Sequence, residues 1–342
     1  MNKAGKIISV EPQFAIPGGE VLINCEGFMA DHSQGFSVLI DGLECRIIGA
    51  SSNRVLVNVP DAISSENTQI VLESGGEQSA PLALVVGREI ANNMHIVANP
   101  AVDPKTNAII LTRSGGRGQQ LPVTLFRLES DGYLDEIKDA ILNPTGIAFD
   151  KDGRMFVTNR AAGEVYEVGE DGTATVYATG LGVATGIAFD DKNRLYVGDR
   201  TGTIHRVTDF GNVETFTVTE PSVAAYHLAF GLDGRLFMTG PALASYDSIK
   251  AIDAEGFDEP FARGFGRPQG LAFDNAGYLY AAACYKGRHG IVRIAPDGLS
   301  SRQFVAGKNI VGLCFTRNGE MIVATRDTVY SISCDVQGTL LN

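Results

Sequence analysis

A chain of 342 residues, 44% of them hydrophobic and with no apolar run near the ~18 residues of a membrane span, reads as a globular protein larger than one small domain. Its 40 acidic against 28 basic residues give a net charge of -12, which disfavours nucleic acid and anionic membrane as partners. Five cysteines, an odd number without CxxC spacing, argue against a disulfide framework or a zinc site, with a Cys25–Cys45 bridge left as an alternative.

The opening "MNKAGKIISVEP" has too short an apolar run for a signal peptide, so the default location is the cytoplasm unless a leader has been removed. Residues 5–87 alternate apolar and polar residues between Gly/Pro turns, in "IISVEPQFAIPGGEVLINCEGF", "FSVLIDGLECRIIGASSNRVLVNVP" and "TQIVLESGGEQSAPLALVV". That pattern predicts a small β-sandwich over 1–87. The stretch resembles the IPT/TIG immunoglobulin-like domain in its P-x-x-x-x-x-GG entry, its "GF" after the second strand and its final "VNVP". The resemblance implies a spacer or interaction module; some such domains bind DNA, a use the acidic balance argues against.

From residue 88 the grammar changes. "NPTGIAFD", "VATGIAFD" and "RPQGLAFD" recur, and the residue before their Asp defines six equivalent positions: Val102, Phe149, Phe189, Phe230, Phe273 and Phe315, spaced 40 to 47 residues apart. Each unit runs through an apolar strand, a Gly/Asn turn, a second strand such as "MFVTN" and a third such as "EVYEV". A polar fourth strand then leads to the next unit. Four short antiparallel strands every forty-odd residues predict a six-bladed β-propeller over 88–342. The sixth unit lacks a fourth strand of its own, and "REIA" at 88–91 is expected to supply it and close the ring. The chain is therefore expected to be all-β, a small immunoglobulin-like β-sandwich followed by a six-bladed β-propeller of four-stranded blades.

The blades resemble NHL repeats and the regucalcin/gluconolactonase family, which share a P-x-G-[IL]-A-[FV]-D phrase. The resemblance implies a site at the propeller mouth, where those lactonases hold a divalent metal on Glu, Asn and Asp ligands four residues before each anchor. Here those positions carry Ala98, Thr145, Thr185, Tyr226, Gln269 and Val311, none a carboxylate. Ca²⁺ or Mg²⁺ needs such oxygen ligands, so no cofactor is predicted and metal enters only if the chain is a divergent lactonase.

Eleven residues past each anchor come Arg113, Arg160, Arg200, Pro241, Cys284 and Arg326, with Lys286 and Arg288 close by in the fifth unit. Two readings stand side by side. Each arginine pairs with a local acid such as Asp199 or Asp327 or caps strand ends; or the cations share a funnel, where each like-charged pair ~8 Å apart costs about 1 kcal/mol until an anion relieves it. In the second reading Thr145, Thr185, Tyr226 and Gln269 form a polar floor. His205 falls on a third strand as an ordinary sheet residue. His227, which replaces the repeat glycine, is the candidate for acid/base work, and with His289 it is similar to the mouth histidine of streptogramin lyases. The reading that results leans away from catalysis. It makes the chain a propeller that binds a small acidic molecule, a glycan or a protein partner at an arginine-rimmed funnel, with a lactonase-like hydrolase or a lyase as the alternative. The absence of Trp lowers the case for a glycan.

Overall fold

The computed structural model describes residues 5–27, 35–116, 119–208, 211–243 and 247–339. Phe28 of the "GF" pair lies outside them. The described residues form an entirely β-sheet protein, built largely of small four-stranded sheets in a propeller-like arrangement. No helix among them is long and apolar enough to cross a membrane.

The repeating unit explains itself residue by residue. Pro144–Phe149 is buried along its whole length, as an inner strand packed on both faces must be. It pairs with Met155–Asn159, then Glu164–Val168, then Ala174–Ala178, with exposure rising outward. The aspartate of "GIAFD" holds the turn between the first two strands: Asp150 Oδ1 accepts the amides of Asp152 and Arg154 at 3.0 and 2.8 Å, and Asp190 repeats the geometry. The repeat glycine has a different duty. A Cβ on Gly146 would sit 2.4 Å from the Thr185 carbonyl oxygen, and one on Gly186 would sit 2.7 Å from that of Tyr226, so adjacent inner strands touch only because the side chain is missing.

Two units break that rule. Asn99 stands in place of the glycine in the first unit and reaches across to the fifth and sixth, donating to the Leu271 carbonyl at 3.0 Å and accepting the Leu313 amide at 3.1 Å. His227 stands there in the fourth unit.

The strand Arg88–Ala91 pairs antiparallel with Val329–Ser333, the third strand of the last unit, so chain segments about 240 residues apart complete one four-stranded sheet. The N-terminal strands form a core of their own around Val21, Ile23, Val38, Val57 and Leu72. They do not stand apart from the repeats. Phe14–Ala15 is hydrogen-bonded in parallel to Leu82–Val86 on one side and to Ser301–Ala306 on the other. Ile16, only 1% exposed, packs with Tyr280, Phe304 and Ile332. Gly19 lies so close that a Cβ would fall 2.4 Å from the Ala306 carbonyl oxygen. Only Gly87 separates Leu82–Val86 from Arg88–Ala91, so the expected boundary at 87/88 is a step between strands rather than a linker. All five cysteines are free thiols, and the Cys25–Cys45 alternative is not realised.

Candidate functional site

One cavity of about 660 Å³ opens where inner strands begin and second strands end in the fourth to sixth units. Gln269, Arg267, Cys284, His289 and Asn309 are among its lining. The hairpin Leu279–Tyr285/Arg288–Ile294 sets Cys284 directly opposite His289, which places both side chains on one face of the sheet. The sheet behind them is braced, since Gln303 Nε2 donates to the His289 carbonyl at 2.9 Å and Gly307 N donates to the same oxygen at 3.2 Å. His289 is exposed. Asn309 and Arg267 bend the rim with φ of 58° and 48°. Asn143 does the same in the second unit, two residues before Thr145, at 49°. Left-handed backbone at non-glycine residues is costly and gathers at functional sites.

The arginines divide into two groups. Arg160 and Arg200 are half-buried on neighbouring units and form no ion pair with any described residue. The aspartate that could have neutralised Arg200 is already engaged, because Asp199 accepts the amides of Val183 and Thr201 and the Thr201 hydroxyl. Arg200 donates one nitrogen to the Val223 carbonyl at 3.0 Å, and its Nε is buried without a partner. Burial first, and the charge of Arg200 second, hold the Arg160 guanidinium below its ordinary range. Val223 also lines the cavity, so the Arg200 end of this pair adjoins it. Arg113, half-buried on the first unit, likewise makes no ion pair with a described residue. By contrast Arg326 lines a second cavity, of about 560 Å³, shared with N-terminal residues Arg46 and Asp61. Lys286 and Arg288 line a third, against Ser9–Phe14. These three cations belong to the seam with the N-terminal strands and not to the funnel.

The expected floor needs correction too. Thr145 is 0% exposed and its hydroxyl donates to the Asn143 carbonyl. Thr185, 1% exposed, donates to the Gly198 carbonyl at 3.1 Å while accepting the Tyr226 amide at 3.0 Å. The Tyr226 hydroxyl donates to the Glu220 carbonyl, and burial, with Asp199 and Glu220 adding to it, pushes that phenol up to about 12. All three hydroxyls are spent on the backbone, that of Thr185 also joining the third unit to the fourth, and of the four floor residues Gln269 alone reaches the cavity.

The same test applies to the metal that the fold family implies. Its positions here offer apolar side chains, hydroxyls already committed to backbone partners and the single amide of Gln269, and no group of three or more His, Cys, Asp and Glu among the described residues could hold an ion. These residues do not fit the metal.

His227 is 3% exposed and lines only a narrow central space of about 20 Å³ beside Asn99, with its Nε2 unpartnered. Filling the seam that the repeat glycine leaves elsewhere has taken it away from the mouth, so it cannot meet a substrate there. Burial depresses the imidazole from 6.5 to about 4. Between those values the unfolded chain binds the proton and the folded chain does not, so stability is lost as pH falls from about 6.5 towards 4. The loss is on the order of 3 kcal/mol at 1.36 kcal/mol per pH unit. Urea unfolding midpoints followed from neutral pH to about 4 are expected to fall less steeply for His227→Gln than for the parent; parallel curves would show that another group carries the acid sensitivity.

No protein-family model matches the chain, and no curated protein does. Solved structures do. An auxiliary nutrient binding protein from Bacteroides thetaiotaomicron is similar at 14% identity over 96% of this chain and 98% of its own, with a TM-score of 0.56. A candidate gluconolactonase is similar at 18% identity over 74% of this chain and 93% of its own, with a TM-score of 0.60. A catalytically inactive histidine-to-alanine virginiamycin B lyase from Staphylococcus aureus, solved with quinupristin, is similar at 15% identity over 86% of this chain and 98% of its own, with a TM-score of 0.54. At these identities the likeness is one of fold. It nonetheless corrects the leaning away from catalysis drawn from the sequence: the chain is an all-β protein related in fold to gluconolactonase-like and lyase-like proteins.

Proposed function

We propose that the chain is a lyase-type enzyme acting on an acidic small molecule or glycan at the mouth of a six-bladed propeller, with an IPT/TIG-like sandwich docked against it. In this reading Arg160 and Arg200 hold the substrate's anionic group and His289 moves the proton. The observation that carries it is a cavity of about 660 Å³ lined by an exposed histidine and by Val223, whose carbonyl holds Arg200, an arginine that makes no ion pair with a described residue.

The chemistry follows from the side chains. A carboxylate bound by guanidinium loses much of its negative charge, which acidifies the C–H bond next to it. His289, neutral, takes that proton; the C–H electron pair becomes a C=C bond and the β C–O bond breaks. The departing oxygen then receives a proton from the imidazolium or from water, which restores the base. The amides of Gln269 and Asn309 can orient the remaining hydroxyls.

A panel of oligouronates and acyclic β-hydroxy acid esters, followed by the ultraviolet absorbance of the unsaturated product, tests the reading. Arg160→Ala with Arg200→Ala is expected to raise KM for acidic substrates by roughly 10- to 100-fold, given ~1.5–3 kcal/mol for a hydrogen bond to a charged group, and to leave neutral analogues unchanged. No unsaturated product from any member, or an unchanged KM for the acidic ones, would overturn it.

A further inference from the structure

We infer that the groove between Ser9–Phe14 and the strand Ser301–Ala306 is a second binding site, separate from the funnel, for a carboxylated sugar. The groove encloses about 490 Å³ and gathers three cations, Lys286, Arg288 and Arg302, in a chain whose net charge is -12. None of the three forms an ion pair with a described residue. Arg288 is fixed by one nitrogen on the Glu11 carbonyl at 3.2 Å, which leaves the rest of its fork unengaged. Lys286 lies 5.0 Å from the Tyr285 ring and Arg302 lies 6.0 Å from that of Phe304, contacts that position both charges without neutralising them.

A bare cluster of cations would take any anion, but the remaining groups narrow the choice. Glu11 is exposed on the opposite wall; its carboxylate accepts only from Asn24, at 3.1 Å, among the described residues and calls for hydroxyl donors on the ligand. Phe14, half-buried and packed on Phe304 with ring centroids 4.9 Å apart, supplies an apolar patch within the same groove for the C–H face of a pyranose. Anion, hydroxyls and an apolar face together describe a uronate better than a free phosphate. The walls are preorganised, because Phe14–Ala15 is hydrogen-bonded on both sides, and binding need not order them.

Trigalacturonate titrated calorimetrically into the full chain tests the site, with neutral galactotriose and inorganic phosphate as controls. With Arg160→Ala and Arg200→Ala present throughout, so that anion binding at the funnel is removed, Lys286→Ala with Arg302→Ala, both exposed positions, is expected to weaken the remaining trigalacturonate binding at least tenfold. Arg302→Glu is expected to abolish it. In that background, equal affinity for galactotriose, competition by phosphate as strong as by trigalacturonate, binding unaffected by Lys286→Ala with Arg302→Ala, or no binding at all would each overturn the inference. Because the readout is binding in one groove and not turnover in the other, failure here leaves the lyase reading standing, and failure of the lyase reading leaves the groove standing.

Discussion

His289→Ala is expected to lower kcat on the acidic substrates by roughly 10²- to 10⁴-fold, the usual worth of a positioned acid/base group, while leaving the melting temperature within about 1 °C of the parent. The two halves of that result have separate causes. His289 is exposed, and what ties it into the sheet is its backbone: its carbonyl takes the Gln303 and Gly307 hydrogen bonds, and its neighbour Cys284 is held by strand pairing. Removing the imidazole therefore deletes a proton carrier without opening a cavity in any core. KM should change little, since the anion is held by Arg160 and Arg200, and the kcat-against-KM split between the two sets of variants is itself diagnostic. A kcat within threefold of the parent would exclude His289 as the base.

Removing residues 1–87 is expected to leave a fragment that aggregates or melts about 10 °C or more below the full chain. An independent spacer would predict no change. Three losses add together. The strand Ser301–Ala306 becomes an open edge when Phe14–Ala15 is withdrawn, and open edges template aggregation. Ile16 leaves a hole beside Tyr280, Phe304 and Ile332, of the kind that costs ~2–5 kcal/mol. Phe14 and Val85 also pack against that cluster, so Phe304 and its neighbours are uncovered. At roughly 2–4 °C per kcal/mol for a domain of this size, the cavity alone accounts for about 10 °C. Calorimetry of the full chain should accordingly show one transition, and a fragment melting with the parent would disprove the fused arrangement.

Much of the fold could be read before any coordinates because its signals are local. The turn between inner and second strand needs positive φ and an aspartate to gather amides, so Asp150, Gly153, Asp190 and Asn193 mark it in the sequence. The inner strand is buried on both faces and reads as a continuous apolar phrase. The pairing of Phe14–Ala15 with residues almost three hundred positions on has no such mark, since two residues carry no period. The site divides along the same line. Loss of the lactonase carboxylates was visible at six equivalent positions. The fate of His227 was not, because a side chain at the glycine position is steered by the neighbouring unit, whose approach the repeat pattern does not record. Nor do equivalent repeat positions imply equivalent surroundings: Arg200 is held on the carbonyl of Val223, whereas Arg326 lines a cavity shared with the N-terminal residues Arg46 and Asp61. Arg267 and Asn309 were missed although a signal existed, since they share with Asn143 one repeat position, six before Phe273, Phe315 and Phe149 respectively.

The closure of the last sheet by Arg88–Ala91, and the splint made by Phe14–Ala15, have a consequence for biogenesis. Each segment leaves the ribosome long before its partner, Val329–Ser333 for Arg88–Ala91 and Ser301–Ala306 for Phe14–Ala15. Until then Arg88–Ala91 waits unpaired, and Phe14–Ala15 has Leu82–Val86 on one side alone. Such long-range pairing slows folding and exposes sheet edges meanwhile, so the nascent chain should depend on chaperones that shield extended segments until those partners arrive.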